Sequence, residues 1–167
     1  PMGIQCIFFV ISDFVSIVEK LLAKEFISHH IIPGSNIKDI PNHWKNMQWS
    51  DLVALLEQGH TIGCHTKKHA RLKDYKLNIE LEEEIISSAN HIVKNLGNKV
   101  DHFAFPFGDI ESISNEALLI AKKRFRFIYS GIRGNNVKEI SPFAIRRDAA
   151  TFQMSDNEYA FFNNNLL

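Results

Sequence analysis

The sequence predicts an α/β fold built from repeated strand–helix units, on three observations. Short apolar runs at residues 5–11, 61–64 and 100–105 have the length and composition of buried strands. Stretches with apolar residues at helical spacing alternate with them, as they do in folds with a parallel sheet. The residues best suited to chemistry fall where such runs give way to loops, the usual ligand-binding edge of these folds. Periodicity alone leaves a doubly wound sheet and an incomplete barrel open. Either architecture gathers the strand-end loops on one face.

Taken in order, residues 5–11 form a first strand, and Ser12 or Asp13 caps a helix that runs to about Phe26. Phe14, Ile17, Val18, Leu21 and Leu22 recur at helical spacing there and are expected to face inward. A loop over residues 33–42 follows. Ser50 is placed to cap a short helix with Leu52, Leu55 and Leu56 inside, and Gly59 to end it. The clearest helix carries Ile85, Ile86, Ala89, Ile92, Val93 and Leu96 as one stripe and stops at Gly97. Its acidic run, Glu82 to Glu84, reads as a solvated face that favours the helix amino terminus. Residues 100–105 form the next strand, and Ser114 caps a helix with Ala117, Leu118 and Ala121. Phe125, Phe127 and Tyr129 alternate as a strand does and read as core or barrel wall, and residues 143–147 form another strand. Ser155 to Glu158 has the form of a capping box that opens a last helix. No repeat, linker or second domain interrupts the pattern, so residues 1–167 read as one domain.

Composition narrows the function classes. The chain has 167 residues, 45% of them apolar and 23% charged, which is ordinary for one soluble enzyme-sized domain. Lys plus Arg equals Asp plus Glu at 19 each, and this zero balance argues against a nucleic-acid or electrostatic membrane surface. The longest apolar run is far shorter than the roughly 20 residues of a membrane-spanning helix. The amino terminus lacks the basic lead and small-residue cleavage site of a signal peptide. These features leave cytoplasm and bacterial cell envelope equally open. Cys6 and Cys64 are too few for a disulfide framework or a cysteine zinc site and are read as buried thiols.

His65 and His69 supply two imidazoles four residues apart at the end of the run 61–64. Neutral imidazole is the commonest protein ligand of zinc-like ions, and a close spacing lets one turn of backbone aim both rings at one point. Spacing alone is weak, because eight histidines in 167 residues produce such a pair by accident. Placement at a strand end strengthens it. Pro106-Phe107-Gly108, taken alone, is an ordinary tight turn.

The two segments together resemble the polysaccharide deacetylases with a NodB-homology domain, carbohydrate esterase family 4. His65-Thr66-Lys67-Lys68-His69 fits the family's H-[ST]-x-x-H metal motif. Phe103-Ala104-Phe105-Pro106-Phe107-Gly108-Asp109 is similar to its F-[AR]-x-P-[YF]-G-[DN] motif. The resemblance implies an incomplete, irregular (β/α) barrel in which the two loops meet. It also implies hydrolysis of the N-acetyl group of a sugar or polysaccharide, with a divalent metal at His65 and His69. Zinc is the first expectation, and imidazole suits cobalt and nickel too. Pro106, Phe107 and Gly108 would line the substrate site, with a backbone N–H for the developing oxyanion and Gly108 allowing the sugar close approach.

The family's T-F-D-D-G strand end, whose aspartates serve as general base and third metal ligand, does not occur in the sequence, and neither does the late L-x-H motif. Residues 3–10 resemble the strand that follows T-F-D-D-G, so the chain is expected to lack its first strand. Asp13 and Asp109 are more simply a helix cap and a turn residue, and His43, His60, His91 and His102 are unpersuasive as catalytic acids. The alternative reading is a degenerate, non-catalytic member that binds carbohydrate. A structural-zinc protein is disfavoured by the lack of further Cys or His ligands nearby.

Overall fold

A computed structural model describes residues 3–137 and 141–148. Four short strands, β1 (Ile7–Val10), β2 (Thr61–Cys64), β3 (His102–Ala104) and β4 (Phe127–Tyr129), form one parallel sheet whose spatial order is the order of the chain. A fifth stretch continues it through a parallel bridge from Tyr129 to Ile145. A doubly wound sheet reverses its strand order at a switch point, whereas the described strands advance in one direction, as around a barrel. The sheet is the wall of an incomplete, irregular (β/α) barrel.

Register separates the two faces. Val10, Cys64, Phe103 and Ile128 line up across the sheet and are buried, packing toward the helices. Phe9, Gly63, His102, Phe127 and Tyr129 occupy the opposite face. A side chain on Gly63 would put a carbon 2.7 Å from the Phe9 ring, so its absence lets Phe9 cross β2 and meet Tyr129 edge-on at 5.1 Å. Phe125 is core, as expected, while Phe127 and Tyr129 are half-buried barrel wall.

The helices are α1 (Ser12–Val15), α2 (Lys20–Phe26), α3 (Trp49–Glu57), α4 (Asn78–Glu82), α5 (Ser88–Leu96) and α6 (Asn115–Arg124). α3 and α5 pack on β2. Gly97 ends α5 in the left-handed conformation (φ 69°), and the Ser114 hydroxyl caps α6 by accepting from Ala117 N at 3.1 Å. The expected stripe on the long helix holds: Ile85, Ala89 and Ile92 are fully buried. A single wide turn, Glu83–Ser87, joins α4 to α5.

Three expectations require correction. The helix expected from Ser12 to Phe26 is broken after Val15, because side-chain amides capture its carbonyls: Asn46 donates to Phe14 O and Ile17 O, and Gln48 to Ile17 O. The break resets the helical phase, leaving Val18 and Leu21 85% and 61% exposed and burying Val15 and Ala23 instead. Neither Ser12, Asp13 nor Ser50 is a cap: α1 follows Ile11 with no side-chain cap, and α3 starts from Gln48, whose N–H donates to Asp51 at 2.8 Å. Cys6 is exposed, while Cys64 is buried. The expected helix at Ser155 to Glu158 lies outside the described residues. No helix among the described residues is long and apolar enough to cross a membrane.

Candidate active site

β2 delivers His65 directly. Its backbone N–H extends the ladder to Val10 O at 2.9 Å, and the next residues turn away from the sheet. Thr66 (φ 66°) and His69 (φ 62°) both take the left-handed conformation, which β-branched and bulky residues rarely adopt. Two tight bends three residues apart bring the imidazoles of His65 and His69 together, with ring centroids 5.0 Å apart and planes at 69°.

Backbone carbonyls fix both tautomers. Nδ1 of His65 lies 2.7 Å from Ala104 O, and Nδ1 of His69 lies 3.0 Å from His30 O. A carbonyl oxygen can only accept, so each Nδ1 carries the proton and donates. Each Nε2 is thereby left as an unprotonated lone pair, the form that binds metal. Burial favours the neutral form as well. It pushes His65 down to about 4, with the His69 and Arg147 charges acting in the same direction, and burial lowers His69 too.

The second loop meets the first. Phe107 (φ 60°) follows β3 on the bend Pro106-Phe107-Gly108, and its ring lies 4.9 Å from that of His69. The Arg71 guanidinium sits 4.4 Å over the same Phe107 ring and reaches Asp109 at 3.3 Å. Lys73 pairs with Glu111 at 2.6 Å, a second tie between the loops. Pro106 is fully buried and Phe107 is 39% exposed, so the proline anchors the bend and the phenylalanine faces the cleft. That cleft is about 960 Å³ and is walled by His29, Pro33, His69, Arg71, Tyr75 and Phe107, large enough for a sugar unit or more.

Gly108 is confined by the fold itself. A Cβ there would lie 2.3 Å from Gly131 N, so the missing side chain lets this bend approach the backbone after β4. Gly131 N donates to Gly108 O at 2.8 Å, which locks the bend onto the sheet.

Neither Asp13 nor Asp109 is gathered with the pair into a group of three metal-type side chains: Asp13 N donates to Lys67 O at 3.1 Å, and the Asp109 carboxylate holds Arg71. His60 accepts from Cys6 N, His91 packs at a tilt against Trp49, and His102 stacks on Phe127. Among the described residues, no cluster of three His, Cys, Asp or Glu side chains is arranged around one metal position. The donors present fit two of the places in a histidine-containing zinc-type site, since both imidazoles are neutral, adjacent and braced from behind.

Two contributors escape a reading of the sequence. Arg147 reaches the inner face, with its guanidinium 5.7 Å over Phe9 and its Nε donating to Ser130 O at 2.6 Å. Glu84, within the acidic run, is 4% exposed and accepts from Lys67 N and Lys68 N. The signal for Glu84 is its place three residues after Leu81 and one before Ile85, on the buried stripe.

The fold is a parallel α/β barrel wall that carries paired imidazoles after one strand and an aromatic bend after the next. The model of the polysaccharide deacetylase family matches residues 3–124, and the chain belongs to that family. Among solved structures, a Streptococcus pyogenes deacetylase in complex with acetate superposes with a TM-score of 0.71 at 14% identity, over 95% of this chain and 58% of that one. A polysaccharide deacetylase from Bacillus cereus gives 0.61 at 19% identity, over 72% of this chain and 37% of that one. The IcaB structure from Ammonifex degensii gives 0.62 at 16% identity, covering 89% and 57%. These likenesses establish the shared fold, and this chain spans less than two thirds of each of those chains. No curated protein matches the sequence.

Proposed function

We propose that the chain is the main part of a metal-dependent deacetylase that hydrolyses the N-acetyl group of an N-acetylated sugar or polysaccharide. The observation that carries this is the pair of Nδ1–H donations to Ala104 O and His30 O, which aims two neutral Nε2 lone pairs from adjacent rings. His65 and His69 would hold a divalent ion, zinc with cobalt or nickel as alternatives. When bound, such an ion supplies the Lewis acidity that amide hydrolysis requires near neutral pH.

The chain's own groups then divide the remaining work. Phe107 and the Arg71 guanidinium stacked on it form a wall against which a sugar face packs. The Gly108 N–H is turned back onto Pro106 O at 2.6 Å, so among the described residues the Phe107 N–H is the amide this bend can offer to a developing oxyanion. Among the described residues no carboxylate completes a metal-type group with His65 and His69, and the general base is assigned on this reading to a T-F-D-D-G strand. Among the described residues β1 pairs on one side only, with β2, and a T-F-D-D-G strand paired with the other side would bring its aspartates to the same mouth as His65.

Acetate release from a chitin-like oligosaccharide with added zinc or cobalt tests this, using a chain extended by a T-F-D-D-G strand and its His65→Ala variant. Metal-dependent release lost in the variant supports the deacetylase. Oligosaccharide binding with no release from any extended chain supports the second reading, a non-catalytic member, which the absence among the described residues of a third metal-type side chain beside the two histidines favours.

A further inference from the structure

We propose that Glu84 is the positioning residue of the histidine loop, holding the two imidazoles in their paired orientation through the backbone between them. The inference rests on reading His65 and His69 as a ligand pair, and it assigns a role to a residue outside both motifs.

The three residues between the histidines are tied from two directions. On one side, Ser12 N donates to Thr66 O at 3.3 Å and Asp13 N to Lys67 O at 3.1 Å, so the start of α1 takes the carbonyls. On the other, Glu84 Oε2 accepts from Lys67 N at 3.1 Å and from Lys68 N at 3.0 Å. Thr66 Oγ1 closes the loop by accepting from Ala70 N at 3.3 Å. A left-handed threonine and a left-handed histidine persist where the surroundings over-determine them, and these bonds do so.

The chemistry of position 84 follows from its setting. It lies on the wide turn between α4 and α5 and is 4% exposed, where an apolar side chain would leave two N–H groups without an acceptor. Neighbouring Glu83 faces solvent and pairs with the Lys67 ammonium, so the two adjacent glutamates grip the same lysine at its side chain and its backbone. A single Glu84 oxygen takes both N–H groups, so the grip needs an oxygen at this reach and not a negative charge.

The test uses the isotope-labelled chain without metal, comparing Glu84→Gln, Glu84→Ala and Leu81→Ala, the last removing core from the adjoining helix α4. Amide hydrogen exchange at Lys67 and Lys68 and the ring tautomers of His65 and His69, read from nitrogen shifts, are the observables. Glu84→Ala is expected to speed exchange at those two amides on the order of tenfold beyond any global change, and to average the His69 tautomer. Glu84→Gln is expected to keep both, and Leu81→Ala to lower stability without a selective effect on the loop. Unchanged protection and tautomers in Glu84→Ala overturn the proposal, as does the same loop response in Leu81→Ala. If Glu84→Ala does not fold, Glu84→Asp decides: its shorter reach should expose the same two amides, and wild-type protection there overturns the proposal. Failure to release acetate would count against the deacetylase reading and leave these observables untouched.

Discussion

The His69 and Phe107 rings lie 4.9 Å apart, although α4, α5 and β3 separate them in the chain. The contact joins the loop after β2 to the loop after β3, and it makes the second loop a wall of the cleft that holds the first.

Removing that wall should weaken sugar binding while sparing the fold. Phe107→Ala is expected to reduce affinity for an N-acetylated oligosaccharide about tenfold, with the melting temperature little changed because Phe107 is 39% exposed. Calorimetric titration against the wild type measures it. Equal affinities would remove Phe107 from the substrate site.

Gly108 and Gly97 are both left-handed (φ 75° and 69°), yet they should respond very differently to alanine. A methyl group at Gly108 would meet Gly131 N at 2.3 Å, whereas nothing lies within 4 Å of the position at Gly97. Gly97→Ala should cost about 1 kcal/mol, the conformational penalty alone. Gly108→Ala should cost about 3 kcal/mol or more, or prevent folding. Urea unfolding of the two variants makes the comparison.

The two thiols should be separable by reactivity. Cys6 is exposed, while Cys64 is fully buried beside Ser88, and burial pushes its thiol up to about 11. Alkylation at pH 8 is expected to modify Cys6 rapidly and Cys64 only after unfolding, which peptide mass analysis resolves.

Burial raises the Glu84 carboxyl above its ordinary value, against the opposing effect of the Lys68 and Lys67 N–H bonds. The folded state therefore holds this proton more tightly than the unfolded chain. Its contribution is fully present below about pH 4.5 and is lost as pH rises through the raised value. The stability of the wild type relative to Glu84→Gln should accordingly fall between pH 4.5 and pH 7.5. Paired denaturation curves at the two pH values check the sign.

Local patterns were legible where local physics decides. The stripe Ile85, Ala89 and Ile92, the Gly97 stop and the Ser114 cap each depend on residues within a few positions, and each is found as expected. The convergence of the loops was legible because strand ends in a parallel fold share a face. The first helix was misread because amides from Asn46 and Gln48, about thirty residues away, decide where it breaks. Glu84 was misread because charge was weighed above its place on the stripe, and the partners that justify its burial are backbone N–H groups with no sequence signature. Gly108 was rightly singled out as a close approach, but its partner, Gly131, belongs to another strand end.

Whether His65 and His69 act as one ligand pair is decided by a zinc titration followed through the imidazole nitrogen shifts. Nε2 of both residues should shift together as one ion binds, with both Nδ1–H donations retained, and His65→Ala should abolish the response at His69. Movement of one ring without the other, or zinc bound elsewhere with both rings unchanged, would contradict it.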